Sequence, residues 1–149
     1  MRARFVLLGL ALAGCATAPT RASGGWILQA SATAGAALAR IDDKGGDTLR
    51  IACRRAPADL LVASDAMAPG TGPAVLRVGE LAVALTAGGE APRLSATAPL
   101  PDGLPAALMS GGAVSLTHAG RTLGPFPPPD PKSAAAFVIA CRGREGSPR

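Results

Sequence analysis

The chain has 149 residues, of which 33 are Ala, 19 Gly and 14 Pro, with no Tyr, no Asn, one His and three Cys. That length holds one domain with tails and excludes a multidomain enzyme, and aromatic residues at only 3% mean that any core is assembled from small aliphatic side chains. The formal charge of +5 is carried by the two ends: between Gly25 and Cys141 nine basic and nine acidic residues cancel, so the basic face and stacking aromatics that a nucleic-acid partner requires are missing.

Arg2 and Arg4 precede a nine-residue apolar run, Phe5 to Ala13, followed by small residues, which is the layout of a secretory signal. Crossing a hydrocarbon layer of roughly 30 Å takes about 20 helical residues, so the run reads as a removable segment rather than a span. It ends on Leu12-Ala13-Gly14-Cys15, and these four residues resemble the lipobox of bacterial lipoproteins. The resemblance implies cleavage of residues 1–14, diacylglyceryl transfer to Cys15, and a membrane partner reached through the N-terminal lipid. Ala16 stands where that family uses Asp for inner-membrane retention, which in a Gram-negative cell implies the outer membrane, facing the periplasm. Two or three acyl chains make such an attachment effectively permanent.

Residues 15–25 are small, polar and aperiodic, and are expected as a flexible tether reaching about 15–20 Å. A single β-rich domain is expected over 26–142, with a basic disordered tail over 143–149 containing Arg144 and Arg149. Leu28, Ala30, Ala32 and Ala34 alternate with Gln29, Ser31 and Thr33, the period of a half-buried strand, and Ala37, Ala39 and Ile41 repeat it. The helix propensity of Ala competes with that pattern. Asp42-Asp43-Lys44-Gly45-Gly46-Asp47 then breaks it, and Leu49, Ile51 and Cys53 resume facing inward with Thr48, Arg50 and Arg54 outward, giving a hairpin. Further strands are expected at Leu60 to Ser64, Ala74 to Val78, Leu81 to Thr86, Leu94 to Ala98 and Val114 to His118. The fold class is therefore mainly β, an antiparallel sandwich or small barrel of about eight short strands with a short C-terminal helix.

Leu104 to Ser110, closed by Gly111-Gly112, reads as a two-turn helix. Asp130 and Pro131 read as an N-cap and first helical residue, after which Ala134, Phe137, Val138 and Cys141 fall on one stripe; a strand over Ala136 to Cys141 is the competing reading. With Cys15 set aside for lipid, Cys53 and Cys141 remain as a pair in an exported chain and are expected to form a disulfide, since no C-x-x-C spacing supports a redox or metal site.

The residues that could carry chemistry are sparse. His118 has no G-x-S-x-G elbow to serve and reads as a strand-end histidine. One His without a paired-ligand motif makes a metal unexpected, and no cofactor motif is present. Asp42, Asp43 and Asp47 read as a polar turn rather than a calcium loop, because Lys44 sits among them. Gly70-Thr71-Gly72-Pro73 is a loop without a phosphate-binding frame. Asp59 with Asp65, and Glu80 with Glu90, read as solvated carboxylates. Trp26, Phe126 and Phe137 are core plugs or, alternatively, a binding cluster. The run Pro125, Pro127, Pro128, Pro129 and Pro131 is a stiff connector or a peptide ligand. Arg142 opens a basic end that suits anionic headgroups or plain solvent.

Trp26 at the start of a small β-rich domain, with Cys53 and the segment Phe137 to Cys141, resembles envelope proteins of the invasion-associated locus B family. The chain departs from them by lacking a Cys soon after Trp26, and their role in invasion is not carried over. The expectation is a non-enzymatic, lipid-anchored accessory protein of the envelope with an envelope protein or polymer as partner; the alternative is a small periplasmic inhibitor or chaperone of a secreted enzyme.

Overall fold

The computed structural model describes residues 20–21, 25–31, 35–55, 58–89 and 92–142. In chain order the elements are β1 (Thr20–Arg21), β2 (Trp26–Ser31), β3 (Gly35–Ile41), β4 (Asp47–Arg55), β5 (Ala58–Ser64), β6 (Gly72–Val78), β7 (Leu81–Gly88), β8 (Leu94–Pro99), α1 (Leu104–Met109), β9 (Val114–His118), β10 (Arg121–Phe126) and α2 (Pro131–Arg142). All the strands join one antiparallel sheet in the order β1-β2-β3-β4-β5-β8-β7-β6-β9-β10. The first five form a meander. The β6–β7–β8 hairpins then fold back so that β8 pairs with β5, and β9 returns through α1 to pair with β6, which is Greek-key connectivity.

Alternation builds the concave face. In β7 Val83, Leu85 and Ala87 are buried while Ala82, Ala84 and Thr86 are exposed. Leu49, Ile51 and Cys53 do the same on β4, Leu60 and Val62 on β5, Leu76 and Val78 on β6, and Leu116 on β9. The sheet curls around them as a half-barrel. Its two edges approach at one corner, where Trp26 Nε1 donates to the Pro127 carbonyl at 2.7 Å and the Arg40 guanidinium lies 4.8 Å from the centre of the Phe126 ring. Trp26 and Phe137 are fully buried, so both are core plugs, whereas Phe126 is half-buried under Arg40.

The helices fill the hollow. α2 packs on β2, β3, β4 and α1, and α1 on β6. The stripe of α2 that enters the core is Ser133, Ala134, Phe137, Val138 and Cys141, so the helix reading over 131–142 holds and a strand there is set aside. Asp130 caps it: one carboxylate oxygen accepts from the main-chain N–H of Lys132 and of Ser133, at 3.1 and 3.0 Å.

Three features differ from the sequence expectation. First, β3 has the opposite phase. Ala36 and Leu38 face the core, and Ala37 and Ala39 lie on the convex face, where they are nonetheless 5% and 0% exposed. Alanine fits either face, so alternation among alanines carries no phase. Second, β10 is an additional strand, bringing the described sheet to nine strands of five or more residues. Pro125 and the prolines after it mask it as a connector, yet Arg121 to Leu123 pair with His118 to Leu116 before the register shifts at Gly124 and Pro125. Third, Thr20 and Arg21, within the stretch expected as tether, pair with Leu28 and Ile27 of β2. Residues Ala32, Thr33 and Ala34, Glu90, the tail over 143–149 and the whole segment 1–19 lie outside the described residues.

Candidate functional site: a groove on the convex face

Cys53 and Cys141 form the disulfide that their pairing predicts. Cys53 projects from the inner face of β4 and Cys141 from the core stripe of α2, with 5.6 Å between their Cα atoms. The bond spans a sequence separation of 88 residues and is buried, at 2% and 6% exposure. It fastens the C-terminal turn of α2 to the sheet. Gly35 lies against it from β3: its φ is +104°, and a Cβ there would collide with the Cys53 carbonyl oxygen.

On the opposite face of the same strands lies an open groove of about 360 Å³. Its origin is a row of small side chains across the sheet. Gln29 of β2 opposes Ala37 of β3, which opposes Ala52 of β4, which opposes Leu61 of β5. In the next row Ile27, Ala39, Arg50 and Ala63 stand side by side. With alanine at 37 and 39 the Arg50 side chain can cross β3, and its Nη2 donates to the Gln29 amide oxygen at 2.7 Å. That crossing is what buries two alanines on a convex face.

Charge flanks the groove. Arg50 also pairs with Asp47 at 3.4 Å, and Arg54 pairs with its cross-strand neighbour Asp59 at 3.3 Å. The Arg54 side chain is 56% exposed, against 26% for Arg50, so Arg54 is the cation more open to a ligand. At the other end of β4, Arg93 lies 3.5 Å from Asp47 and 4.0 Å from Asp65. There Asp65 accepts from the Asp47 N–H at 2.9 Å, and the Asp65 N–H donates to the Asp47 carbonyl at 2.8 Å. Those contacts tie the start of β4 to the end of β5.

The other sequence candidates are dispersed. His118 is 7% exposed at the end of β9, and its Nδ1 donates to the Pro73 carbonyl at 3.1 Å, since a carbonyl oxygen can only accept. Its ring stands against Gly70, where a Cβ would come within 2.8 Å of Nε2. Gly70 to Pro73 thus form the wall that holds the histidine. Asp59 and Asp65 sit at opposite ends of β5 in separate ion pairs, and Glu80 is exposed in the β6–β7 turn. Asp42 folds its own turn, accepting from the N–H groups of Lys44 and Gly46 at 2.9 and 2.8 Å. Among the described residues no group of three His, Cys, Asp or Glu side chains could hold a metal ion, and no helix is long and apolar enough to cross a membrane, which says nothing of membrane β-barrels. Cys15, Arg144 and Arg149 lie outside the described residues. Sequence reasoning missed the groove because its walls meet across four strands whose register only folding reveals.

No protein-family model, no curated protein and no solved structure matches the chain.

Proposed function

We propose that the chain is a non-catalytic, lipid-anchored protein of the bacterial cell envelope, held to the outer membrane through Cys15. Its groove over β3 receives an extended partner segment carrying acidic groups, from an envelope protein or polymer. The groove carries this reading. Small side chains at Ala37 and Ala52 leave room on this face for an extended chain, and Arg54 at its side offers a planar fork of N–H donors suited to carboxylates. The Cys53–Cys141 disulfide supports export, because such bonds persist in oxidising compartments. The sequence Leu12 to Cys15 supports the anchor.

Two measurements test the proposal. Mass analysis of the N-terminal peptide reads the anchor directly: a diacylglyceryl-modified Cys15 is expected, and an unmodified one overturns it. A photo-crosslinking residue in place of Leu61, on the groove wall, reads the ligand in living cells. A membrane complex or envelope polymer is the expected adduct. A single soluble secreted enzyme in stoichiometric yield would replace this reading with that of an inhibitor or chaperone.

A further inference from the structure

Helix α2 is divided lengthwise by chemistry. Ser133, Ala134, Phe137, Val138 and Cys141 are buried, whereas Lys132, Ile139 and Arg142 fall on the opposite face and are exposed. Ile139 is 71% exposed, and the other large apolar side chain so placed among the described residues is Met109, at the end of α1, on which α2 packs. No acidic residue occurs from Pro131 to Arg142, and Arg144 and Arg149 follow in sequence against the lone Glu145. An exposed aliphatic side chain bracketed by cations without carboxylates suits the interface of an anionic lipid layer better than it suits water.

The N-terminal chain brings such a layer within reach. β1 runs antiparallel to β2 with Thr20 opposite Leu28, so the chain enters β1 from the side of Gln29 to Ser31. That is also the side of Ala36 and Cys53, which oppose each other on β3 and β4. Through the Cys53–Cys141 bond, the C-terminal turn of α2 is held at this same end of the β2–β4 strands. Cys15 precedes Thr20 by five residues, at most about 17 Å of extended chain. On the lipid-anchor reading, therefore, we infer that the outward face of α2, with Lys132, Ile139 and Arg142, lies against the anionic phospholipid surface of the membrane that holds Cys15. The domain then has a fixed orientation on its membrane instead of swinging on a tether.

The test uses the full, lipidated chain in vesicles of phosphatidylethanolamine and phosphatidylglycerol, with a photo-crosslinking residue at Ile139 or, as the comparison, at Lys44 in the exposed β3–β4 turn. Position 139 is expected to label phospholipid several-fold more than position 44. Lys132→Glu combined with Arg142→Glu is expected to cut the yield at 139 at least tenfold, since each cation near such a surface contributes about fivefold in affinity, while the chain stays on the vesicle through Cys15. An anchored chain whose position 139 labels no more lipid than position 44, or labels a protein instead, overturns the inference, as does a yield indifferent to the charge reversal. Chain that separates from the vesicles with Cys15 unmodified overturns the anchor reading as well, and the mass of the N-terminal peptide tells that failure from the others.

Discussion

Trp26 and Pro127 are 101 residues apart in sequence and meet at the corner where the two edges of the curled sheet come together, the indole N–H donating to the carbonyl at 2.7 Å. Among the described residues the main-chain ladder does not close this half-barrel; the join at the corner is a side-chain hydrogen bond beside the Arg40–Phe126 contact. Trp26→Phe keeps most of the buried ring but removes the donor, and should destabilise the fold by about 1–3 kcal/mol. Trp26→Ala also leaves a cavity and should cost about 3–5 kcal/mol. Denaturant unfolding followed by far-UV circular dichroism measures both. In the parent chain the fluorescence of this single tryptophan should shift to the red in the same transition, and an earlier shift would mean that the corner opens before the sheet melts.

The Cys53–Cys141 bond should contribute about 4–5 kcal/mol by restricting the unfolded chain, given the sequence separation of 88 between its ends. Cys53→Ala with Cys141→Ala is expected to lower the denaturation midpoint strongly. Both thiols of the parent chain should resist alkylation until the chain is unfolded and reduced, as their burial requires. Alkylation of either in the native, unreduced protein would contradict the bond.

Much of this architecture was legible as alternation. Leu49, Ile51 and Cys53 are spaced by two and punctuated by a turn that Asp42 folds from its own side chain, so β4 and its hairpin could be read without a structure. Asp130, Pro131 and the Ala134-to-Cys141 stripe likewise pointed to α2 ahead of the competing strand, and the disulfide followed from the two cysteines left once Cys15 is set aside. What was illegible depends on partners distant in sequence. The phase of β3 is hard to read because alanine fits either face; it rests on Leu38, which enters the core and leaves Ala37 and Ala39 on the convex face. The pairing of β10 is hidden by Pro125, which lacks a ladder donor, and by the bulge that places Phe126 opposite Val114. The groove needs Gln29, Ala37, Ala52 and Leu61 in one row, which no local pattern specifies.

Ala37→Leu tests that row. The added side chain would occupy the floor of the groove beneath the Arg50–Gln29 hydrogen bond, so the bond should break and the protein lose about 1–3 kcal/mol from overpacking. The crosslinking yield from position 61 to its partner should fall with it. Thermal unfolding reads the first effect and the adduct yield the second. A destabilised variant that still captures the partner in full would move the binding surface away from β3.

Gly35→Ala tests the contact between β3 and the disulfide-bearing residue. The substitution places a Cβ on the Cys53 carbonyl oxygen at a φ of +104°, so strain and displacement act together. A loss of about 1–3 kcal/mol is expected. The same substitution at Gly45, also at positive φ but with no neighbouring atom within 4 Å of where the new methyl would sit, should cost less, because conformational strain acts there alone. Equal losses at the two sites would show that the collision at Cys53 is relieved by a small shift of β4.

Asp130→Ala removes both acceptor contacts at the N-terminus of α2 and should destabilise the protein by about 0.5–2 kcal/mol, with Asp130→Asn recovering most of that because its side-chain oxygen can still accept. The two ends of α2 are held by different means, the cap at Asp130 and the covalent bond at Cys141. Once the bond is gone, the first turn and the core stripe alone keep the helix on the sheet. The cap should therefore contribute more in the Cys53→Ala, Cys141→Ala background than in the parent. A double-mutant cycle with denaturant unfolding measures the difference, and coupling of about 0.5 kcal/mol or more is expected. Strict additivity would mean that α2 docks and leaves as one rigid unit, whichever end is loosened.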